Sequence, residues 1–332
     1  MASKRRSPFA PLQSILSAGA SRARQVIGAP RATTALGAAS AESLMSASFV
    51  RRLERLSLLT RGVIAEGVAG DHRSRRYAAS AEFADFRHYV HGDDFRRIDW
   101  NAYARFDGLF LKLTEAKEDI AVHLLVDSSQ SMHWGNPDKL GFARRLAAAI
   151  GYLSLSRYDG VTGACFAEKM YDRIPHLRGR AHSMRLLSYL DTAPIGSATR
   201  LERAMAEYCS GAPRRGVAFL ISDLMTEDDW QKAVLRLIRE RMEVVVVHVL
   251  APQELHPDLE GEVELIDSET GDVVEMVVGE PGRRSYEQRV QKWCDDVEDF
   301  CHRSEVGYLC LDTSLELEEI FLNRMRRRRV VR

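Results

Sequence analysis

The dominant pattern along the chain is a series of short, unbroken apolar runs separated by stretches with helical spacing. Ile120 to Val126, Gly216 to Ile221 (GVAFLI), Glu243 to Leu250 (EVVVVHVL) and Val306 to Leu311 are strand-sized and mostly rich in β-branched residues. Such runs fit strands buried on both faces. Val161 to Phe166 reads as a further strand, and Lys169 to Ile174 is a candidate to pair with it. Between the runs, Leu140, Ala143, Leu146, Ile150 and Leu153 recur at helical spacing. They follow Asn136-Pro137, which reads as a helix cap with proline in the first turn. His182 to Leu190 and Leu201 to Tyr208 read as short helices. Thr226 is expected to cap a helix with an acidic first turn and an apolar face of Trp230, Ala233, Val234, Leu237 and Ile238. Glu262 to Val278 reads as a hairpin turning at 269–272, within an insertion of about 252–281. Tyr286, Val290, Trp293, Val297 and Phe300 stripe a long helix, and Leu315 to Met325 predicts the last one. Together these elements predict an α/β, three-layer, doubly wound domain over residues 119–332, with a mostly parallel sheet.

The pattern is different upstream. Residues 1–46 are expected to form a basic tail, mostly disordered and rich in Ala, Ser and Arg. Such a tail would contact a membrane surface or a partner, although its composition also fits an organelle transit peptide. Residues 47–118 form a separate N-terminal region. It opens with a helix from Ala47 to Glu66 carrying Phe49, Leu53, Leu56 and Val63 or Ile64 on one side. Phe83, Phe86 and Tyr89 predict extended structure, 91–94 (HGDD) a turn, and Leu109 to Leu113 a strand.

Composition narrows the function classes. The 332 residues are 45% hydrophobic and 28% charged, with 47 basic residues against 47 acidic ones. Zero net charge argues against nucleic acid as the main partner. No apolar run approaches a membrane span, and the start lacks the apolar core of a secretory signal. The five cysteines (165, 209, 294, 301 and 310) show no Cys-x-x-Cys. They read as reduced, buried thiols of a cytoplasmic protein.

The candidate chemistry sits where strands end. The first buried run closes in Asp127-x-Ser129-x-Ser131, and Asp223 closes another. In a parallel sheet both lie on one edge, where open α/β sheets place ligands. Thr199, in Gly196-Ser-Ala-Thr199, lies between them in sequence and opens a short helix. Asp127, Ser129, Ser131, Thr199 and Asp223 thus offer hard oxygen ligands suited to Mg²⁺ or Mn²⁺. Each residue also has an ordinary use, because Ser and Thr cap helices and Asp ends strands. His123 and His248 lie within buried strands and read as satisfied core residues. No Gly-x-Ser-x-Gly elbow or phosphate-binding Gly-rich loop occurs, so ATP hydrolysis is not expected.

These five positions match, residue by residue, the metal-ion-dependent adhesion site of the von Willebrand factor type A domain, which the chain resembles from 119 onward. The resemblance implies Mg²⁺ or Mn²⁺ at the site and a partner carboxylate completing its shell. A second block contains Arg87, His88, His91, Asp93, Arg96, Asp99, Trp100 and Arg105. It is similar to the bacterial domain of unknown function 58 family, in which such a block precedes a type A domain. That family commonly occurs with MoxR-type AAA+ ATPases, which implies such an ATPase or its client as partner. Many of its members carry N-terminal membrane spans, a feature not read here. Within the block, Arg87, Asp93, Arg96, Asp99 and Arg105 read either as buried ion pairs with Trp100 and Phe110 as packing anchors, or as a recognition surface. The expectation is a non-enzymatic, metal-dependent protein-binding module. The alternative is a hydrolase using the same metal to activate water, for which no general base is evident.

Overall fold

The computed structural model describes residues 43–59, 83–89, 98, 100, 103, 108–114, 121–211, 213–226, 228–257, 261–266 and 273–324. Helix α1 (Ala47–Leu59) is followed by an antiparallel pair, β1 (Phe83–His88) and β2 (Phe110–Thr114). The main sheet begins with β3 (Ala121–Asp127). Then come α2 (Lys139–Ser156), β4 (Gly160–Phe166), β5 (Met170–Arg178), α3 (Ser183–Thr192), α4 (Leu201–Ser210) and β6 (Gly216–Ser222). After α5 (Trp230–Arg239), β7 (Glu243–Leu250) and a single turn α6 (Pro252–Leu255) comes a second hairpin, β8 (Gly261–Ile266) and β9 (Val273–Val278). The chain continues through α7 (Glu280–Arg303), β10 (Gly307–Asp312) and α8 (Leu317–Glu319).

Six strands form one sheet in the order β10-β7-β6-β3-β4-β5. All neighbours are parallel except β4 and β5. Helices flank both faces, because alternate residues of each strand feed different cores. Val122, Leu124 and Val126 pack with Phe49, Leu53 and Leu56 of α1 and with the apolar faces of α2 and α3. Leu125, Ala218, Leu220, Val244 and Val246 pack instead with α4, α5 and the Tyr286-to-Phe300 stripe of α7. The apolar runs are continuous because neither face of the strand meets water.

Some predicted details change. Asp138, not Asn136, caps α2, its carboxylate accepting from the Gly141 N–H at 2.7 Å. Asp229, not Thr226, caps α5; the Thr226 hydroxyl donates to the Thr199 carbonyl at 2.9 Å. The expected final helix over 315–325 is a single turn of α8 followed by a π turn, Ile320–Arg324. Ile320 and Phe321 are buried in the core, so packing and not helical propensity sets that segment. The turn of the hairpin at 269–272 and the apolar positions 63 and 64 lie outside the described residues.

Candidate functional site

The carboxyl edge of the sheet gathers three loops. Asp127 ends β3 fully buried, and the chain turns at once, the Ser129 N–H donating to Asp127 Oδ1 at 3.0 Å. This turn brings the Ser129 and Ser131 hydroxyls within 3.0 Å of each other. The Gly196–Thr199 loop is laid against it by two backbone bonds, Gly196 N–H to Ser128 O at 2.8 Å and Gln130 N–H to Ser197 O at 3.0 Å. Glycine is required at 196, since a Cβ there would stand 2.3 Å from Ala167 Cβ and 2.5 Å from the Tyr171 hydroxyl. The approach delivers Thr199, whose hydroxyl donates to Asp127 Oδ2 at 3.4 Å. Asp223 follows β6, fully buried, with Oδ1 accepting from the Met225 N–H at 3.0 Å. Its neighbour Leu224 is held at φ +55°. Holding a branched side chain in this left-handed region costs about 1–3 kcal/mol. Strain of this kind clusters at functional sites.

The electrostatics follow from burial. The Asp127 carboxyl is pushed up to about 7, first by burial and then by the negative charge of Asp223, against the bonds it receives from Ser222 and Ser129. Two buried carboxyls that repel each other are an arrangement a cation relieves. All five sequence-predicted ligand residues therefore meet at this edge: Asp127, Ser129, Ser131 and Thr199 through hydrogen bonds, and Asp223 through its charge on Asp127.

Three participants were not anticipated. The Ser222 hydroxyl donates to Asp127 Oδ2 at 2.6 Å. The Lys139 ammonium, almost fully buried, bonds Asp223 Oδ2 at 2.8 Å and also Glu254. Burial alone would lower the lysine, but the charges of Asp223 and Glu254 outweigh it and hold the ammonium above its ordinary range. Burial pushes Glu254 up and Lys139 pulls it down. Glu254 is fixed by the Ala251 N–H on Oε2 at 2.7 Å. With all three carboxyls ionised, Asp127, Asp223 and Glu254 would carry three negative charges against the one ammonium of Lys139, a difference equal to the charge of one divalent ion. Ser222 carried a signal, since it directly precedes Asp223. Lys139 and Glu254 carried none, because 84 and 115 residues separate Lys139 from its two partners.

Both buried histidines are core residues; His248 has both ring nitrogens engaged, whereas His123 has a hydrogen-bond partner on Nδ1 and none on Nε2 among the described residues. His123 Nδ1 lies 2.7 Å from the Tyr208 hydroxyl. His248 has Tyr308 on Nδ1 and the Asp223 carbonyl on Nε2. Of the N-terminal block, Trp100 is 63% exposed and rests edge-on against Tyr103, so it is not the buried anchor expected of it. The anchor reading failed because aromatic residues also serve at surfaces. Phe110 is half-buried, with the exposed His88 against its ring. Arg87 lies in β1, and Asp93, Arg96, Asp99 and Arg105 lie outside the described residues. No described helix is long and apolar enough to cross a membrane.

Among known proteins, the chain is 33% identical over 216 residues to uncharacterized proteins of Mycobacterium tuberculosis and Mycobacterium bovis, covering 63% of this chain and 67% of each relative. An uncharacterized protein of Mycobacterium avium is 36% identical over 110 residues, covering 32% of this chain and 64% of that protein. Among solved structures, the conserved hypothetical protein BatB from Bacteroides thetaiotaomicron aligns at 15% identity and a TM-score of 0.37, covering 62% of this chain and 98% of that one. An aerotolerance-related membrane protein from Bacteroides fragilis aligns at 16% identity and the same TM-score of 0.37, with the same coverage. Residues 85–293, well over half the chain, match the family described as protein of unknown function DUF58, and the chain belongs to that family.

Proposed function

We propose that this protein is a divalent-metal-dependent protein-binding module. In this reading the sheet domain is a three-layer fold of the von Willebrand factor type A kind. Asp127, Ser129, Ser131, Thr199 and Asp223 hold Mg²⁺ or Mn²⁺, and an acidic side chain of a partner completes the shell. The observation that carries the reading is the buried pair Asp127 and Asp223 beside two serine hydroxyls, with the Asp127 carboxyl raised to about 7 first by burial and then by the charge of Asp223. The donor set is all oxygen, which suits a hard ion. The bound ion would supply a Lewis-acidic position for a carboxylate. A binding role fits better than hydrolysis, because Asp127 is fully buried and its oxygens are engaged by Ser129, Thr199 and Ser222. So placed, it serves a metal and not proton transfer to a substrate.

The partner proposed is a MoxR-type AAA+ ATPase or the client on which it acts, in assembly or maturation of a protein complex. The test is capture of a MoxR-type ATPase encoded in the same genome on the immobilised full chain, with Mg²⁺ or with EDTA. Retention in Mg²⁺, lost in EDTA and in Asp127→Ala, is the expected result. Equal retention under all three conditions refutes metal dependence. Because a protonated carboxyl binds metal poorly, Mg²⁺ affinity should fall as pH drops below about 7, the value to which Asp127 is raised.

A further inference from the structure

A second cluster lies on the same sheet, on the face covered by α7. In β7 and β10, His248 stands opposite Cys310 in register, and Tyr308 is two residues earlier on the same face. Helix α7 lowers Cys294 onto them. One nitrogen of His248 and the sulfurs of Cys294 and Cys310 all lie within 4.8 Å of one another. The Trp293 ring lies edge-on against His248 with centroids 4.6 Å apart, and Cys294 and Tyr308 belong to the apolar core on this face.

The hydrogen positions follow from the partners. The Asp223 carbonyl only accepts, so His248 Nε2, 3.2 Å away, carries the hydrogen. His248 Nδ1 then holds the lone pair and accepts from the Tyr308 hydroxyl at 3.0 Å. Metal-ligating histidines likewise have one ring nitrogen tied to a carbonyl; an ion on Nδ1 would take the lone pair that now accepts from the Tyr308 hydroxyl. Tyr308 in turn contacts Cys310, and Cys310 contacts Cys294. Imidazole and two thiols at this spacing match the ligand set and reach of a tetrahedral zinc site.

We propose that His248, Cys294 and Cys310 form a second metal site, for a soft divalent ion of the Zn²⁺ class, with Tyr308 or water in the fourth position. Sulfur and imidazole select against Mg²⁺, so this site and the oxygen-lined edge take different ions. As the sulfurs bind, the two thiol protons pass to solvent. Strand β10 is at the sheet edge and Cys310 is half-buried, which gives the ion a way in. Bound there, the ion would tie β7, β10 and α7 together. Through His248 it would also steady the Asp223 carbonyl.

The test uses the full chain, reduced and stripped of metal, titrated with Co²⁺ as an optical stand-in for Zn²⁺. One equivalent should produce a sulfur-to-cobalt charge-transfer band that Zn²⁺ bleaches. Cys294→Ser and Cys310→Ser should each weaken Co²⁺ binding at least tenfold, whereas Cys165→Ala and Asp127→Ala keep the band. Absence of the band in the parent, or its survival in both serine variants, overturns the site. X-ray absorption of the Zn²⁺-loaded parent needs no variant: two sulfurs at about 2.3 Å support the site, and a shell of only nitrogen and oxygen refutes it.

Discussion

Lys139 occupies the first turn of α2, where the helix dipole disfavours a cation, and it is almost fully buried. Only its bonds to Asp223 and Glu254 make that position tenable. Removing one partner of a buried ion pair costs about 3–5 kcal/mol. Lys139→Met should therefore lower unfolding stability by about that much in urea. Mn²⁺ should restore more stability to this variant than it adds to the parent, because the ion replaces a missing positive charge. An equal Mn²⁺ gain in both chains would detach Lys139 from the proposed metal site. His123 makes a separate pH prediction. Burial lowers it from 6.5 to about 4, so the folded imidazole stays neutral while the unfolded one takes a proton. The stability it contributes is complete above pH 6.5 and is lost as pH falls toward 4. That loss is at most about 3 kcal/mol. His123→Gln should flatten the acid-side slope of stability against pH, and an unchanged slope would exclude His123 as a cause. The five oxygen residues were legible in the sequence because each sits in or beside a short segment that ends an apolar run or opens a helix. The Lys139–Asp223–Glu254 group was not, since a single charged residue in an apolar helix carries no mark of its distant partners.

At the scale of elements, one row of the sheet carries the polar chemistry. Asp127 bonds Ser222, Ser222 pairs in register with His248, and His248 pairs with Cys310. All four point to the face covered by α4, α5 and α7, just where the strands end. Strand identity was readable from apolar runs, but the alignment of this row depends on register between distant strands, which no local pattern encodes. Helix boundaries were similarly only partly readable. Pro137 drew the cap too early, while Asp138 has the carboxylate that reaches the free N–H of Gly141. Helix α1 belongs to the sheet domain's core through Phe49, Leu53 and Leu56. Arg52 grips Glu318 of α8 with Nε at 2.9 Å and Nη2 at 2.7 Å, and also bonds Glu316. Leu53→Ala should cost about 2–5 kcal/mol in a single cooperative urea transition. A variant as stable as the parent would make α1 an appendage.

For the whole molecule, alternation of apolar strands and amphipathic helices gave the mixed α/β architecture directly, because both faces of the sheet need helices to cover them. The DUF58 match over 85–293 spans the β1–β2 region and most of the sheet domain, so the two are inherited together. The charge imbalance at the carboxyl edge distinguishes the molecule, and in the function proposed here one hard divalent ion resolves it. Isothermal calorimetry of Mn²⁺ binding tests this most directly, on the parent and on Asp127→Ala, with Mg²⁺ as competitor and circular dichroism confirming that the variant is folded. One Mn²⁺ per parent chain, displaced by Mg²⁺ and lost in Asp127→Ala, is the predicted result. Unchanged Mn²⁺ affinity in a folded Asp127→Ala variant would contradict it.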